Sequence, residues 1–231
     1  MRAIIFDFFG TLTDPRAESG RRTAFEATAA ALGVPAARFW AAMGASYPER
    51  IVGRYGGTRS TLAAIARQCG ATPSDDQLDA AVAVQAAGAE RVRPPRPGAL
   101  ELLDRVRADG FLIGLLSDCS SELCEAWPTT PYARRIDVPV FSWRERCHKP
   151  DQRLYAAVAE RLQVPPAECW YVGDGGSREH DGARRAGMRP VLVTNAAYPG
   201  VGGLRSDPDG YRPDAVIDDL AGLPTLLAVS A

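Results

Sequence analysis

The run Ala3-Ile4-Ile5-Phe6-Asp7-Phe8-Phe9-Gly10-Thr11-Leu12-Thr13 constrains this chain most. A short, wholly apolar segment bounded by a Gly-Thr turn reads as a buried strand. It delivers one carboxylate, Asp7, at its end. That is where open α/β sheets place their ligands. An Asp there can also do no more than cap a turn, so the downstream segments decide its meaning.

Two patterns follow. Residues 15–92 are rich in Ala, Arg and Glu and have helical periodicity. Helices are expected over Arg21–Leu32, Ala37–Met43, Thr58–Gln68 and Asp75–Val92, with Ser74 as an N-cap. The stretch Arg93-Pro94-Pro95-Arg96-Pro97-Gly98 is a stiff linker, because three prolines cannot join a helix or a central strand. Beyond it, helices and strands alternate. Strands are expected at Phe111–Leu116, Val138–Phe141, Trp170–Val172, Pro190–Thr194 and Ala215–Ile217. Helices are expected at Leu100–Ala108, Gln152–Leu162 and His180–Ala186. Repeated strand–helix units imply an α/β fold: a Rossmann-like parallel sheet with helices on both faces. The expected organisation is a core of residues 1–14 and 93–231 with an inserted all-helical domain at 15–92.

Composition excludes several classes. A length of 231 residues allows one large domain or a core with an insertion. A formal net charge of −1 offers no field for nucleic acid or a membrane surface. No apolar run approaches the ~18 residues of a spanning helix, and no signal region precedes the first strand. A cytoplasmic location is expected, as monomer or homodimer. Cys69, Cys119, Cys124, Cys147 and Cys169 are odd in number and irregular in spacing, which suggests reduced thiols. Cys147-His148 has no second pair at zinc spacing.

Three further strand or loop ends carry polar residues. Ser117-Asp118 closes the Leu112–Leu116 run. The Ser117 hydroxyl is either a donor to developing charge or an N-cap for a helix near Ser120, and Asp118 either adds charge to the site or faces away. His148-Lys149-Pro150-Asp151 offers a cation at a helix start. Val172-Gly173-Asp174-Gly175-Gly176-Ser177-Arg178-Glu179 follows a strand and leads into His180-Asp181-Gly182-Ala183.

In order and spacing these four segments resemble the motifs of the haloacid dehalogenase superfamily of hydrolases. The resemblance spans the presumed core, and the helical insertion sits where the family carries a cap between its first two motifs. It implies that Asp7 is a nucleophile, with Ser117 and Lys149 as its catalytic partners and Thr11 and Asp118 near the substrate. It also implies a Mg²⁺ ion held by Asp7, the backbone carbonyl of Phe9 and Asp174, with Glu179 assisting. The family's phosphatases carry a second Asp two residues after the nucleophile as general acid/base. Here that residue is Phe9. General acid–base help is typically worth 10²–10⁴-fold, so weak turnover of ordinary phosphate esters is expected. Asp14 and His180 are the substitutes to test.

The leading expectation is Mg²⁺-dependent hydrolysis of a small phosphorylated metabolite. One alternative is a metal-independent 2-haloacid dehalogenase, whose relatives also lack the second Asp and carry Tyr there. The other is a degenerate protein that binds a phosphorylated ligand without turning it over. Within the cap, Arg54, flanked by Arg50 and Arg59, is expected to hold an anionic substrate, whereas Trp40 and Tyr47 are expected in the cap's own core.

Overall fold

The computed structural model describes residues 2–198 and 207–229. Its centre is β1 (Ala3–Phe6), a strand with every side chain buried. Ile4, Ile5 and Phe6 are fully enclosed, and each such side chain contributes about 1.5–3 kcal/mol on burial. Only a strand covered on both faces can satisfy that run. β2 (Leu112–Ser117) and β4 (Cys169–Gly173) flank it, in parallel register Ile4↔Ile113 and Ile4↔Trp170. β3 (Val138–Phe141), β5 (Arg189–Val193) and β6 (Ala215–Ile217) complete a parallel sheet of order β3-β2-β1-β4-β5-β6. The order reverses direction at β1, so a crevice opens beyond the carboxyl ends of β1 and β4.

The side chains divide by face. Ile4, Phe6, Ile113, Leu115 and Val172 join Leu102, Leu103 and Val106 of α6 (Ala99–Ala108) and Leu223 and Leu227 of α11 (Leu223–Val229). Ala3, Ile5, Leu116 and Tyr171 pack on α9 (Gln152–Leu162) and α10 (Glu179–Arg185). The short helices α7 (Ser121–Ala126) and α8 (Ser142–Glu145) follow β2 and β3.

Residues 21–91 form five helices: α1 (Arg21–Leu32), α2 (Ala36–Ala45), α3 (Tyr47–Arg50), α4 (Thr58–Gln68) and α5 (Asp75–Arg91). Phe25, Phe39, Met43, Leu62, Ile65 and Leu78 give them a core of their own. α1 and α5 pack closely because Gly88 lets Ala24 approach; a Cβ at 88 would lie 2.7 Å from that of Ala24. Ser74 makes the expected cap, a full capping box with Gln77. Thr13 and Pro95 form a bridge where the chain leaves and re-enters the sheet layer. On the other side, the Thr58 amide donates to Glu125 Oε1 at 2.9 Å, tying the helical segment to α7.

Three helices, Arg21–Leu32, Thr58–Gln68 and Gln152–Leu162, coincide with their expected bounds. The short α3, α8 and α11 go beyond the expected set, while α7 is the helix expected near Ser120. A helix of four to seven residues is too brief to display a 3.6-residue period. Pro150 does not start α9; Asp151 is its N-cap, its side chain accepting from the Arg153 amide.

Candidate active site

Each motif ends at the same crevice. β1 aims Asp7 into it, and the Asp7 amide still donates to the Val172 carbonyl at 2.9 Å. Strand pairing therefore continues into the site and fixes the carboxylate's origin. Asp7 is 5% exposed. Lys149 arrives on the loop before α9. Its Nζ donates to Asp7 Oδ1 and to Glu179 Oε2, both at 2.7 Å. Glu179, the first residue of α10, is fully buried, and protein donors engage both its oxygens. Tyr171 O–H donates to Oε2 at 2.8 Å and the Gly175 amide to Oε1 at 2.8 Å. Gly173 is required beneath it, because a Cβ there would run into the Glu179 carboxylate.

Asp174 closes the group. Carboxylate oxygens of Asp7, Asp174 and Glu179 all lie within 4.8 Å of one another. Burial pushes Asp7 up to about 7, against the pull of Lys149 and with the help of the charges on Glu179 and Asp174. Burial also acts on Glu179, but Lys149, His180 and the donated hydrogen bonds overcome it and hold that carboxyl below the ordinary range. Lys149 is lifted well above an ordinary lysine, because Asp7 and Glu179 outweigh its own desolvation. The ammonium stays charged and orients the Asp7 carboxylate.

Residues 1–187 match the haloacid dehalogenase-like hydrolase family. The chain belongs to that family. A phosphatase of Mycobacterium tuberculosis is 32% identical over 134 residues, 57% of this chain and 55% of that protein. A glyceraldehyde 3-phosphate phosphatase of Methanopyrus kandleri is 29% identical over 57% of each chain. The matched stretch is thus little more than half of these relatives. Among solved structures, a 2-haloacid dehalogenase from Pseudomonas syringae superposes with a TM-score of 0.71 at 24% identity, covering both chains fully. The L-2-haloacid dehalogenase of Xanthobacter autotrophicus gives 0.67 at 22%, again over the full length of both. At these identities the likeness is one of fold.

Ser117 ends β2, fully buried, and does not cap α7; Ser120 holds the cap position. Thr11 is fully buried in the turn after β1. Among the described residues, Thr11 Oγ1, Ser117 Oγ and Asp118 Oδ2 of the motifs are buried without a hydrogen-bond partner, as is Arg96 Nε in the linker. Buried polar atoms are seldom left so, and such a set marks where a ligand supplies the missing partner. Asp118 does not face away. It is 7% exposed, and its Oδ1 accepts the Lys149 backbone N–H at 3.0 Å, which fixes the lysine's approach.

Neither proposed substitute acid reaches the crevice chemistry. Asp14 caps the 3₁₀ turn Pro15–Gly20 and pairs with Arg16 at 2.7 Å. His180 is fully buried between Asp209 (2.8 Å) and the Val191 carbonyl (3.0 Å). Phe9 is half-buried. Its ring meets Phe8 edge-on at 5.1 Å, and the Arg21 guanidinium lies 5.8 Å above it.

The helical segment departs from expectation. Arg54 is exposed and does not line the crevice, and Arg59 turns to Asp75 and Asp79 on the surface. The arginines that line it are Arg21, Arg50 and Arg93. Trp40 and Tyr47 are not core: they are 38% and 37% exposed, and both line a cavity of about 400 Å³ that opens on Asp7. Burial, then the charge of Asp118, pushes the Tyr47 hydroxyl up to about 12. No sequence signal separates a cavity-facing aromatic from a core one at this spacing.

The acidic group fits a magnesium ion. Hard Mg²⁺ takes oxygen ligands, and Asp7 and Asp174 bring carboxylate oxygens within 4.8 Å of each other, whereas both oxygens of Glu179 already accept protein hydrogen bonds. The turn after β1 offers one more oxygen. The Phe8 carbonyl accepts from the amides of Thr11, Leu12 and Thr13, and the Gly10 carbonyl accepts from Arg96 and Asn195. The Phe9 carbonyl between them accepts nothing among the described residues.

Proposed function

We propose that this hydrolase removes the phosphoryl group from a small phosphate monoester, with Asp7 as nucleophile and a Mg²⁺ ion held by Asp7, Asp174 and the Phe9 carbonyl. The observation that carries the reading is that second carboxylate, Asp174, beside a nucleophile next to an open backbone carbonyl. A dehalogenase that displaces halide from an anionic acid gains nothing from a second carboxylate there. The ion would neutralise charge on the phosphoryl oxygens. The names of the relatives, two of them phosphatases, agree with the reading.

Asp7 attacks phosphorus, the bond to the leaving oxygen breaks, and an aspartyl-phosphate forms. Lys149 holds the attacking carboxylate in line and offsets its charge. Thr11 Oγ1 and Ser117 Oγ, both without partners, donate to phosphoryl oxygens. Water then attacks phosphorus and releases Asp7. Glu179 holds Lys149 rather than the substrate. Residues 15–92 act as the cap that walls off the leaving group. Phe9 can neither protonate the leaving oxygen nor activate water. Tyr47 keeps its proton at neutral pH and is a hydrogen-bond donor on the cavity wall.

The test is phosphate release from phenyl phosphate with Mg²⁺ and with chelator, for the wild type and Asp7→Asn, alongside halide release from 2-chloropropionate. Turnover that needs both Mg²⁺ and Asp7 is expected. Metal-independent halide release with no phosphate release overturns the assignment.

A further inference from the structure

We infer that the substrate carries a second anionic group, which Arg50 and the Tyr47 hydroxyl bind on the helical side of the cavity while the phosphoryl group meets Asp7. The inference rests on the phosphatase reading above and adds the chemistry of the part that leaves.

Arg50 is a buried charge without a counter-charge. It ends α3 and is 6% exposed. Its Nε donates to Ser46 Oγ at 3.1 Å and its Nη2 to the Met43 carbonyl at 2.8 Å, both neutral acceptors. Nη1 meets no acceptor among the described residues, yet it is not sealed inside the protein, and Arg50 lines the cavity. Buried guanidinium groups are ordinarily paired with an anion. Burial holds this one below the ordinary arginine range, and the charge of Glu122 only partly offsets that. The two bonds already made fix the guanidinium plane, so the free donor is oriented before a ligand arrives.

The neighbouring wall is built in the same way. Arg93 donates from Nε to the Ala89 carbonyl at 2.8 Å and from Nη1 to the Glu122 carbonyl at 3.2 Å, which leaves its Nη2 without an acceptor among the described residues. Tyr47 lies against Arg50, whose guanidinium is 5.7 Å from its ring centre. The Tyr47 hydroxyl also has no hydrogen-bond partner among the described residues. It stands within electrostatic reach of Asp118 and Lys149 at the crevice and of Arg21 in α1, so it bridges the reacting end and the helices.

The carboxylates on that wall are engaged elsewhere. Glu18 pairs with Arg21 at 2.7 Å. Glu122 accepts from Gln85 Nε2 at 3.1 Å and from the Ser120 hydroxyl. An oxyanion of the substrate, carboxylate or phosphate, supplies the missing counter-charge, and the planar guanidinium matches either. Between Arg50 and Asp7 the wall is partly apolar, with Phe9, Phe25, Trp40 and Met43. That lining suits a short carbon spacer between two anions, and a cavity of about 400 Å³ holds a small one.

Phosphonates read this subsite without the chemical step, because a C–P bond does not transfer. 3-Phosphonopropionate and 4-phosphonobutyrate carry a carboxylate at two reaches, and propane-1,3-diphosphonate carries a second phosphonate. Propylphosphonate and butylphosphonate carry neither. Each is measured as a competitive inhibitor of Mg²⁺-dependent phosphate release from phenyl phosphate, at fixed free Mg²⁺. The best doubly anionic compound should bind about tenfold or more tightly than its singly anionic match. A tighter carboxylate makes the substrate a phosphorylated carboxylic acid and a tighter diphosphonate makes it a bisphosphate; either supports the inference. Arg50→Met should cut the preference about tenfold. Tyr47→Phe, which keeps the ring, should cut it about threefold and decides the matter if the Arg50 variant melts early. Equal inhibition by singly and doubly anionic compounds, or a preference unmoved by these variants, overturns the inference and leaves the phosphatase reading standing. No Mg²⁺-dependent phosphate release from phenyl phosphate overturns that reading, and the inference with it.

Discussion

Replacing Phe9 with Asp tests the account of leaving-group chemistry directly. The ring is half-buried, with one edge contact to Phe8 at 5.1 Å and the Arg21 guanidinium 5.8 Å above it. Losing that packing costs about 1–2 kcal/mol. A carboxylate at position 9 would stand under Arg21 and near Asp7. The like charge of Asp7 and partial burial raise its pKa while Arg21, already paired with Glu18, pulls it down; a general acid needs the first two to win. The gain is bounded by what such an acid supplies, 10²–10⁴-fold, or about 3–5 kcal/mol of barrier. The gain should fall on alkyl phosphates, whose leaving oxygen needs the proton, and shrink to a few-fold on aryl phosphates. The assay is phosphate release by the wild type and Phe9→Asp across esters of graded alcohol pKa, with Mg²⁺ present. The slope of log kcat/KM against that pKa should be steep for the wild type and shallow for the variant. Equal slopes, or a wild type already fast on alkyl phosphates, would refute the reasoning about Phe9.

Three other outcomes follow from the site's geometry. Lys149→Met removes the one ammonium between Asp7 and Glu179; breaking a buried pair in this way should cost about 3–5 kcal/mol, read by denaturant unfolding, together with nearly all turnover, and a variant as stable as wild type would contradict the buried network. Asp7, pushed up to about 7 without metal, is protonated below that pH. Since Mg²⁺ takes the carboxylate, its affinity should weaken about tenfold per pH unit below about 7 and level off above; calorimetry in two buffers should detect proton release near pH 6, and pH-independent affinity from 5 to 8 would show the assignment to be mistaken. Arg96 is 1% exposed and donates to the Gly10 carbonyl at 2.7 Å from the linker that follows the five helices of residues 21–91. Arg96→Met should loosen the turn that carries Thr11, costing about 1–3 kcal/mol and lowering kcat more than it raises KM, whereas an unchanged kcat in a destabilised protein would confine Arg96 to folding.

The local pattern of this chain already determined its architecture. Apolar runs of four to six residues, each followed by Gly or a small polar residue, specify parallel strands with ligands at their carboxyl ends. Ala-rich periodicity without β-branched runs specifies the helices of residues 21–91. Asp7 and Asp174 stand just past strand ends and Glu179 opens α10, so the sequence order alone brings them to one sheet edge, with Lys149 on the loop before α9, and the absence of an acid at Phe9 was legible from one position. Tertiary structure alone decided the rest. Glu179 serves Lys149 because Tyr171 and the Gly175 amide occupy its oxygens, a fact of burial that spacing cannot carry. Arg54 points to solvent while Arg21 and Arg50 face the crevice, because helical period defines a face but not which neighbour covers it. Trp40 and Tyr47 read as core on periodicity and stand open to the cavity for the same reason: whether an apolar side chain is covered depends on elements distant in the chain, here the loop carrying Phe9 and the edge of the sheet.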